Sequence, residues 1–179
     1  MFNLKEKYEE CIKKRSLKKT EPSKDIAKKE LDEAQYDLNK ANSSFNLQDY
    51  KWTEIKAYYS CFHAARSLLF LIGLKERSHY CIYVALSLIF KEYFTEEELS
   101  NYKNELERRE LADYYASYSK EEASSSKNFA KNFFQRVKEL YNKLKDLDSK
   151  DLIDIRDSMK LEVLRKKKEE KKNTNQNAN

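Results

Sequence analysis

Residues 52–86 read WTEIKAYYSCFHAARSLLFLIGLKERSHYCIYVAL. This stretch holds the chain's one Trp (Trp52), its one Gly (Gly73) and both of its His (His63 and His79). It is dense in apolar and aromatic residues, yet Arg66, Arg77 and His79 are set among them. Charge removed from water destabilises a fold unless it is paired. The segment is therefore either an unusually polar core or the wall of a site. The spacing predicts a helix from about Tyr50 to Ile72, with Trp52, Ile55, Tyr59, Phe62, Arg66 and Leu69 on one face. Ala57, Ala64, Ala65 and Leu68 make much of the rest apolar, so contact on several sides is expected. Gly73 reads as the stop of that helix, with Leu74 packing back on it.

Helical periodicity continues on both sides. Ala27, Leu31, Ala34, Leu38, Ala41 and Phe45 recur at alternating steps of four and three, the stripe of a helix packed on others. Ser23 can cap that helix, and Ser78 can cap another from His79 to about Tyr93. Thr95 to Glu98 and Ser119 to Glu122 both have the form of a capping box. The first opens a helix through Leu99, Tyr102, Leu106, Arg109 and Asp113. The second opens one carrying Ala123, Ser126, Ala130, Phe133, Val137, Leu140 and Leu144. Short charged helices are expected over residues 3–18, with Leu4, Tyr8, Cys11, Ile12 and Arg15 on one side, and from Lys150 to about Lys167. Asn173 to Asn179 reads as a polar, disordered tail. The expected organisation is a charged helix and linker over 1–22, a bundle over 23–147, and a charged helix and tail over 148–179.

Composition narrows the class. One Gly and one Pro in 179 residues leave too few turn residues for a β-rich fold. The expected fold is all-α: an up-and-down antiparallel bundle of about five core helices, with a charged helix at each end. The net charge of +5 is concentrated at the ends: residues 1–20 carry +4 and residues 156–179 carry +4, which leaves −3 on the middle. A general nucleic-acid binder is usually basic on its folded body. The run from Arg165 to Lys172 reads as a solvated helix end rather than an RNA contact. Cys11, Cys61 and Cys81 fit no metal spacing and no even disulfide set, and Cys61 and Cys81 read as small core residues. The longest apolar stretch is too short to span a bilayer, and nothing resembles a signal peptide. A cytoplasmic protein with no membrane contact and no cofactor is expected.

One set of motifs resembles a known family. It comprises Lys29-Glu30-Leu31-Asp32-Glu33-Ala34, then Ala57-Tyr58-Tyr59-Ser60, Phe62-His63-Ala64-Ala65-Arg66-Ser67-Leu68-Leu69, Gly73, Ser78-His79, Ala85-Leu86, and Arg109-Glu110 with Ala112-Asp113-Tyr114. In order and spacing these resemble the HEPN domain family over about residues 24–145, in particular a little-characterised prokaryotic branch with an additional N-terminal helix. The resemblance implies a helical bundle that usually dimerises and is often paired with a small nucleotidyltransferase in a toxin–antitoxin-like system. In the better-studied branches it implies a metal-independent endoribonuclease, marked by Arg, four to six residues, then His. This chain lacks that mark. Arg66 precedes His79 by thirteen positions and Arg77 precedes it by two, while Arg108 is followed, after four intervening residues, by Asp113. An Asp with its usual pKa is no general acid at neutral pH.

The sequence thus nominates a wall of nucleotide- or RNA-binding residues, Arg66, Arg77, His79, Arg109, Asp113, Tyr114 and Tyr115, with no metal site. His79, Arg108 and Asp113 are the weak catalytic candidates. His63 reads as a hydrogen-bonded core His. Arg66 needs a carboxylate, and Asp113 and Glu110 are the expected partners. The expected function is a HEPN-type binding module, a homodimer that takes a nucleotide, RNA or a nucleotidyltransferase-type partner. Enzyme activity is left open, with the reading leaning against it. The alternatives are a ribonuclease toxin with a rearranged active site and a structural dimerisation scaffold.

Overall fold

The computed structural model describes residues 3–159. Among them are seven helices and one two-stranded ladder: α1 (Leu4–Lys13), β1 (Leu17–Lys19), α2 (Lys24–Asn46), α3 (Tyr50–Leu71), β2 (Leu74–Glu76), α4 (His79–Ile89), α5 (Glu96–Tyr114), α6 (Lys120–Leu144) and α7 (Ser149–Ser158). The all-helical bundle expected from the sequence is the fold observed. The basic run Arg165 to Lys172, the polar tail and the expected end of the last helix near Lys167 lie outside the described residues. No helix among the described residues is long and apolar enough to cross a membrane.

The bundle is built around α3. It packs most extensively on α2, then on α6 and α5, with smaller contacts to α4 and β2. The stripes on its partners explain this. Ala27, Leu31, Ala34, Leu38 and Ala41 of α2 are all buried, as are Ala123, Ser126, Ala130, Phe133, Val137, Leu140 and Leu144 of α6. Small side chains let backbones approach closely. At the α2–α3 contact, the buried Ser60 hydroxyl donates to the Ala34 carbonyl at 2.8 Å. Phe133 gathers the far side: its ring lies 5.4 Å from Phe94, 5.3 Å from Tyr102 and 5.6 Å from Phe129.

Caps mark the helix starts. The box at Thr95 is reciprocal, with Thr95 Oγ1 accepting from the Glu98 N–H and Glu98 accepting from the Thr95 N–H. The one at Ser119 forms in part: Ser119 accepts from the Glu122 N–H, but the Glu122 carboxylate bonds the Ser119 hydroxyl rather than its backbone. Ser78 stands at the N-cap of α4 without a side-chain bond, and α4 ends at Ile89, short of Tyr93. Trp52, expected to pack, is 49% exposed.

The N-terminal segment differs most from expectation. Its helix stops at Lys13, Arg15 takes a left-handed φ of 56°, and residues 17–19 form a strand. That strand pairs antiparallel with β2, placing Leu17 opposite Glu76 and Lys19 opposite Leu74. The reading of Cys81 as a plain core residue is also corrected, because Cys11 and Cys81 form a disulfide between α1 and α4. An odd cysteine count leaves one thiol over and does not exclude a bond. The remaining thiol is the buried Cys61.

Gly73 has a second role besides stopping α3. Its φ is +74°, and a Cβ there would stand 2.4 Å from the Thr20 carbonyl oxygen. The Arg156 guanidinium donates to both the Thr20 and Gly73 carbonyls, at 3.0 and 3.2 Å, clipping α7 onto the linker. A Gly73→Ala variant must shift this linker as well as strain its own backbone. A loss of about 2–4 kcal/mol is expected, measured by chemical denaturation with Ala65→Gly as a helix-interior comparison.

Candidate binding face on helix α3

Most of α3 is buried, but Tyr59, His63 and Arg66 are only half-buried. Together with Phe62 they sit at steps of three and four, so they form one stripe. Neighbouring elements complete the face: Glu30 and Asp37 from α2, Glu76 from β2, His79 from α4, and Arg109, Asp113 and Tyr114 from α5.

Arg66 is held by Glu30 and Glu76, not by Asp113 or Glu110. Its Nη1 lies 3.2 Å from Glu30 Oε1 and its Nε 2.9 Å from Glu76 Oε1. The second contact is an ion pair outside hydrogen-bond alignment, since Nε has no hydrogen-bond partner. The guanidinium rests over the Phe62 and Phe70 rings, 5.1 and 5.3 Å from their centroids. Burial pushes the Glu76 carboxyl up, while Arg66 opposes the shift. The reason for the different partner is the β1–β2 ladder, which carries Glu76 to the end of α3 where Arg66 lies. Glu30 also binds His63 Nδ1 at 2.7 Å, and His63 Nε2 is 3.8 Å from Asp37. His63 is thus hydrogen-bonded as expected, but at the half-buried edge of the core.

His79 packs on Phe62 at 4.5 Å and stacks on Tyr58 at 5.8 Å. The Tyr58 hydroxyl hydrogen-bonds His79 Nδ1. Burial holds the imidazole pKa below its usual value, and Arg109 and Arg66 lower it further against Glu110. His79 is therefore neutral at neutral pH. Burial also raises the Tyr58 pKa, so the phenol keeps its proton. Were Nδ1 the donor, that buried phenolic hydrogen would lack this acceptor, so Tyr58 donates and Nδ1 accepts. The ring proton then sits on Nε2. In this tautomer Nε2 donates a hydrogen bond and does not act as a base.

Arg109 closes the face. Its Nη2 contacts the Tyr59 hydroxyl at 3.2 Å and Asp113 Oδ2 at 3.0 Å. Its guanidinium lies between the Tyr59 and Tyr114 rings, 5.7 and 5.3 Å from the centroids. Its Nε is buried without a hydrogen-bond partner. Tyr114 and Tyr115 are 69% and 75% exposed, and Leu111 and Tyr118 are exposed beside them in the chain.

Of the nominated residues, then, the structure brings together Arg66, His79, Arg109, Asp113 and Tyr114. Tyr115 lies next to them at the end of α5. Arg77 is exposed, and its backbone N–H donates to the Ser16 carbonyl at 2.8 Å. Arg108 points the other way, to Glu105 at 2.8 Å and Ser126 at 3.5 Å. It does not meet Asp113, which is taken by Arg109. Tyr58, Tyr59, Phe62, Glu30, Asp37 and Glu76 are additions the sequence reading missed. For Glu30 and Asp37 a signal existed: they stand seven residues apart, one stripe of α2. Three carboxyl groups engage the two guanidiniums, Glu30 and Glu76 on Arg66 and Asp113 on Arg109, and a fourth, Asp37, stands by His63. The face is not a positive patch. Among the described residues no cluster of His, Cys, Asp and Glu could hold a metal ion.

A second polar group lies inside the bundle, on the α6 side. Glu54 and Glu105 are each 2% exposed, and each has one carboxyl oxygen without a hydrogen-bond partner. Burial pushes Glu54 up to about 7, Glu122 and Glu105 add to this, and the Ser119 backbone and Arg108 oppose it.

The HEPN domain family model matches residues 27–146. That is two thirds of the chain, and the chain belongs to the HEPN domain family. A search of curated proteins found no match.

Glu54 makes stability depend on pH. Its folded-state pKa is raised, so its contribution is complete below the unfolded value near 4.3 and is lost as pH rises through about 7. Replacing Glu54 with Gln is expected to flatten this dependence. The variant should exceed the parent by roughly 3 kcal/mol at about pH 8 and match it near about pH 4, by urea denaturation at each pH.

Proposed function

We propose that this chain is a HEPN-type binding module in the cytoplasm, and that the α3–α5 face is its protein-contact surface. Its first occupant is a second copy of the chain, making a homodimer. A nucleotidyltransferase-type partner, as in toxin–antitoxin-like pairs, would dock on the dimer. The observation that carries this reading is Arg109, fixed between Tyr59 and Tyr114 at the edge of an exposed Leu111, Tyr114, Tyr115 and Tyr118 group. Arg and Tyr side chains beside exposed apolar groups match the composition of interface hot spots. The charge balance points the same way. Backbone-driven RNA binding needs an excess of cations to displace counterions, and here carboxylates already engage both arginines.

A nucleotide is the second reading, favoured by His79. Its Nε2–H and the exposed Tyr114 ring can serve a base edge and a base face without an excess of positive charge. A ribonuclease of the usual HEPN kind is disfavoured by the absent Arg–His spacing and by the tautomer of His79.

Sedimentation velocity tests the main reading. The protein should sediment as a dimer at micromolar concentration. Tyr114→Asp should weaken association at least tenfold while the helical content of the monomer stays unchanged, because Tyr114 is exposed. A monomer at all concentrations, or an unaffected variant, overturns the reading. RNA cleavage in chelator that is lost in Asp113→Ala would establish the ribonuclease instead.

A further inference from the structure

The Cys11–Cys81 bond sits where α1 meets the edge of the candidate face. Cys81 is two residues beyond His79, and the ladder that follows α1 carries Glu76, the partner of Arg66. Apart from this bond α1 is held by Tyr8, which is buried, and by Leu4 and Ile12, which are partly buried against the core. It is ten residues long and buries only Tyr8 and Cys11, and an isolated helix of that length is marginal in water. The next segment is fastened independently. Lys19 pairs with Asp157 at 2.7 Å, Arg156 holds the Thr20 carbonyl, and β1 pairs with β2. Between these two regions lies Arg15 with its left-handed φ. The chain therefore has a natural hinge at residues 14–16, with a fixed side after it and a disulfide-dependent side before it.

The bond is nearly covered, with Cys11 and Cys81 5% and 4% exposed, but a surface pocket reaches it. Cys11 and Cys81 line a surface pocket of about 200 Å³ with Lys7, Glu10, Lys14, Ser16, Ser78 and Tyr80, in which Lys14 is paired with Glu10. Cys61, by contrast, is fully buried with its thiol pKa pushed well up, so it does not compete as an exchange partner.

We propose that the Cys11–Cys81 disulfide is a redox clasp: a dithiol reductant opens it, α1 swings away about residues 14–16, and the His79 end of the face loosens. One thiolate of the reductant attacks a sulfur of the bond and displaces the other cysteine as thiolate. The second thiolate of the reductant then resolves the mixed disulfide. Two electrons and two protons pass to Cys11 and Cys81, and the dithiol leaves as a cyclic disulfide. A cytoplasm keeps dithiols available for this direction, and disulfides persist there mainly as transient or sensing bonds. The opening of α1 stands apart from the functional reading above; its effect on dimerisation rests on that reading.

The test is hydrogen–deuterium exchange of the full chain, air-oxidised and after dithiothreitol, with Cys61→Ser as background and Cys11→Ser/Cys81→Ser as a reduced-state mimic. Reduction should add about 2 Da and speed exchange in residues 4–13 at least tenfold. The cores of α3 and α6 should stay protected, and the His79 ring resonances should shift. The double variant should reproduce the dithiothreitol pattern. Absence of the bond after air oxidation, or equal protection of α1 in both states, overturns the clasp. A freed α1 with unmoved His79 resonances overturns the coupling to the face. If α1 is freed but neither form dimerises, the clasp stands and the dimer reading falls.

Discussion

Because α3 is covered by α2, α5 and α6, every charge on it must be met by a neighbour. Arg66, half-buried among rings, shows that constraint at the candidate face. An unpaired guanidinium at this depth would be strongly unfavourable. Two carboxylates from different elements meet it: Glu30 on α2 and Glu76 on β2. Supplying Glu76 requires the chain to run straight after Gly73, which it does as a strand paired with β1. The ladder in turn positions the start of α4, and with it His79 and Cys81. One half-buried cation is thus linked to the stop of α3, the small sheet, the N-terminal segment and the edge of the candidate face.

The same constraint decides what the face can bind. Arg66 and Arg109 look, as residue types, like a phosphate grip. Their partners make them something else. Each is engaged by carboxylate and flanked by rings, so an anion would have to displace an existing ion pair. A protein surface bringing its own apolar and polar groups need not. The neutral His79, oriented by Tyr58, fits this picture as a fixed donor.

The helices were legible because their determinants are local. The four-and-three stripes of α2 and α6, the Thr95 box and the Gly73 stop are each written in a few adjacent residues. Part of the face was legible as well: Arg66 and His79 stand out as polar groups in an apolar run, whereas Glu30, Asp37 and Glu76 do not. What was not legible is pairing across the fold. Asp113 was a reasonable partner for Arg66 by helix packing, but Glu76 wins because a three-residue strand, too short for an alternation pattern, delivers it. The Cys11–Cys81 bond joins residues 70 positions apart, and sequence spacing does not encode which cysteines meet. Arg108 and Arg109, adjacent in sequence, face different sides of α5. Which of them reached the face depended on where α6 lay.

The central claim is that Glu76 and Arg66 form one unit. A double-mutant cycle of Arg66→Met and Glu76→Gln, read by urea denaturation, measures it most directly. The coupling should be on the order of 1–3 kcal/mol, with the double variant more stable than the two single losses added together. Additivity within about 0.5 kcal/mol would mean that Arg66 does not depend on the ladder, and would contradict the account.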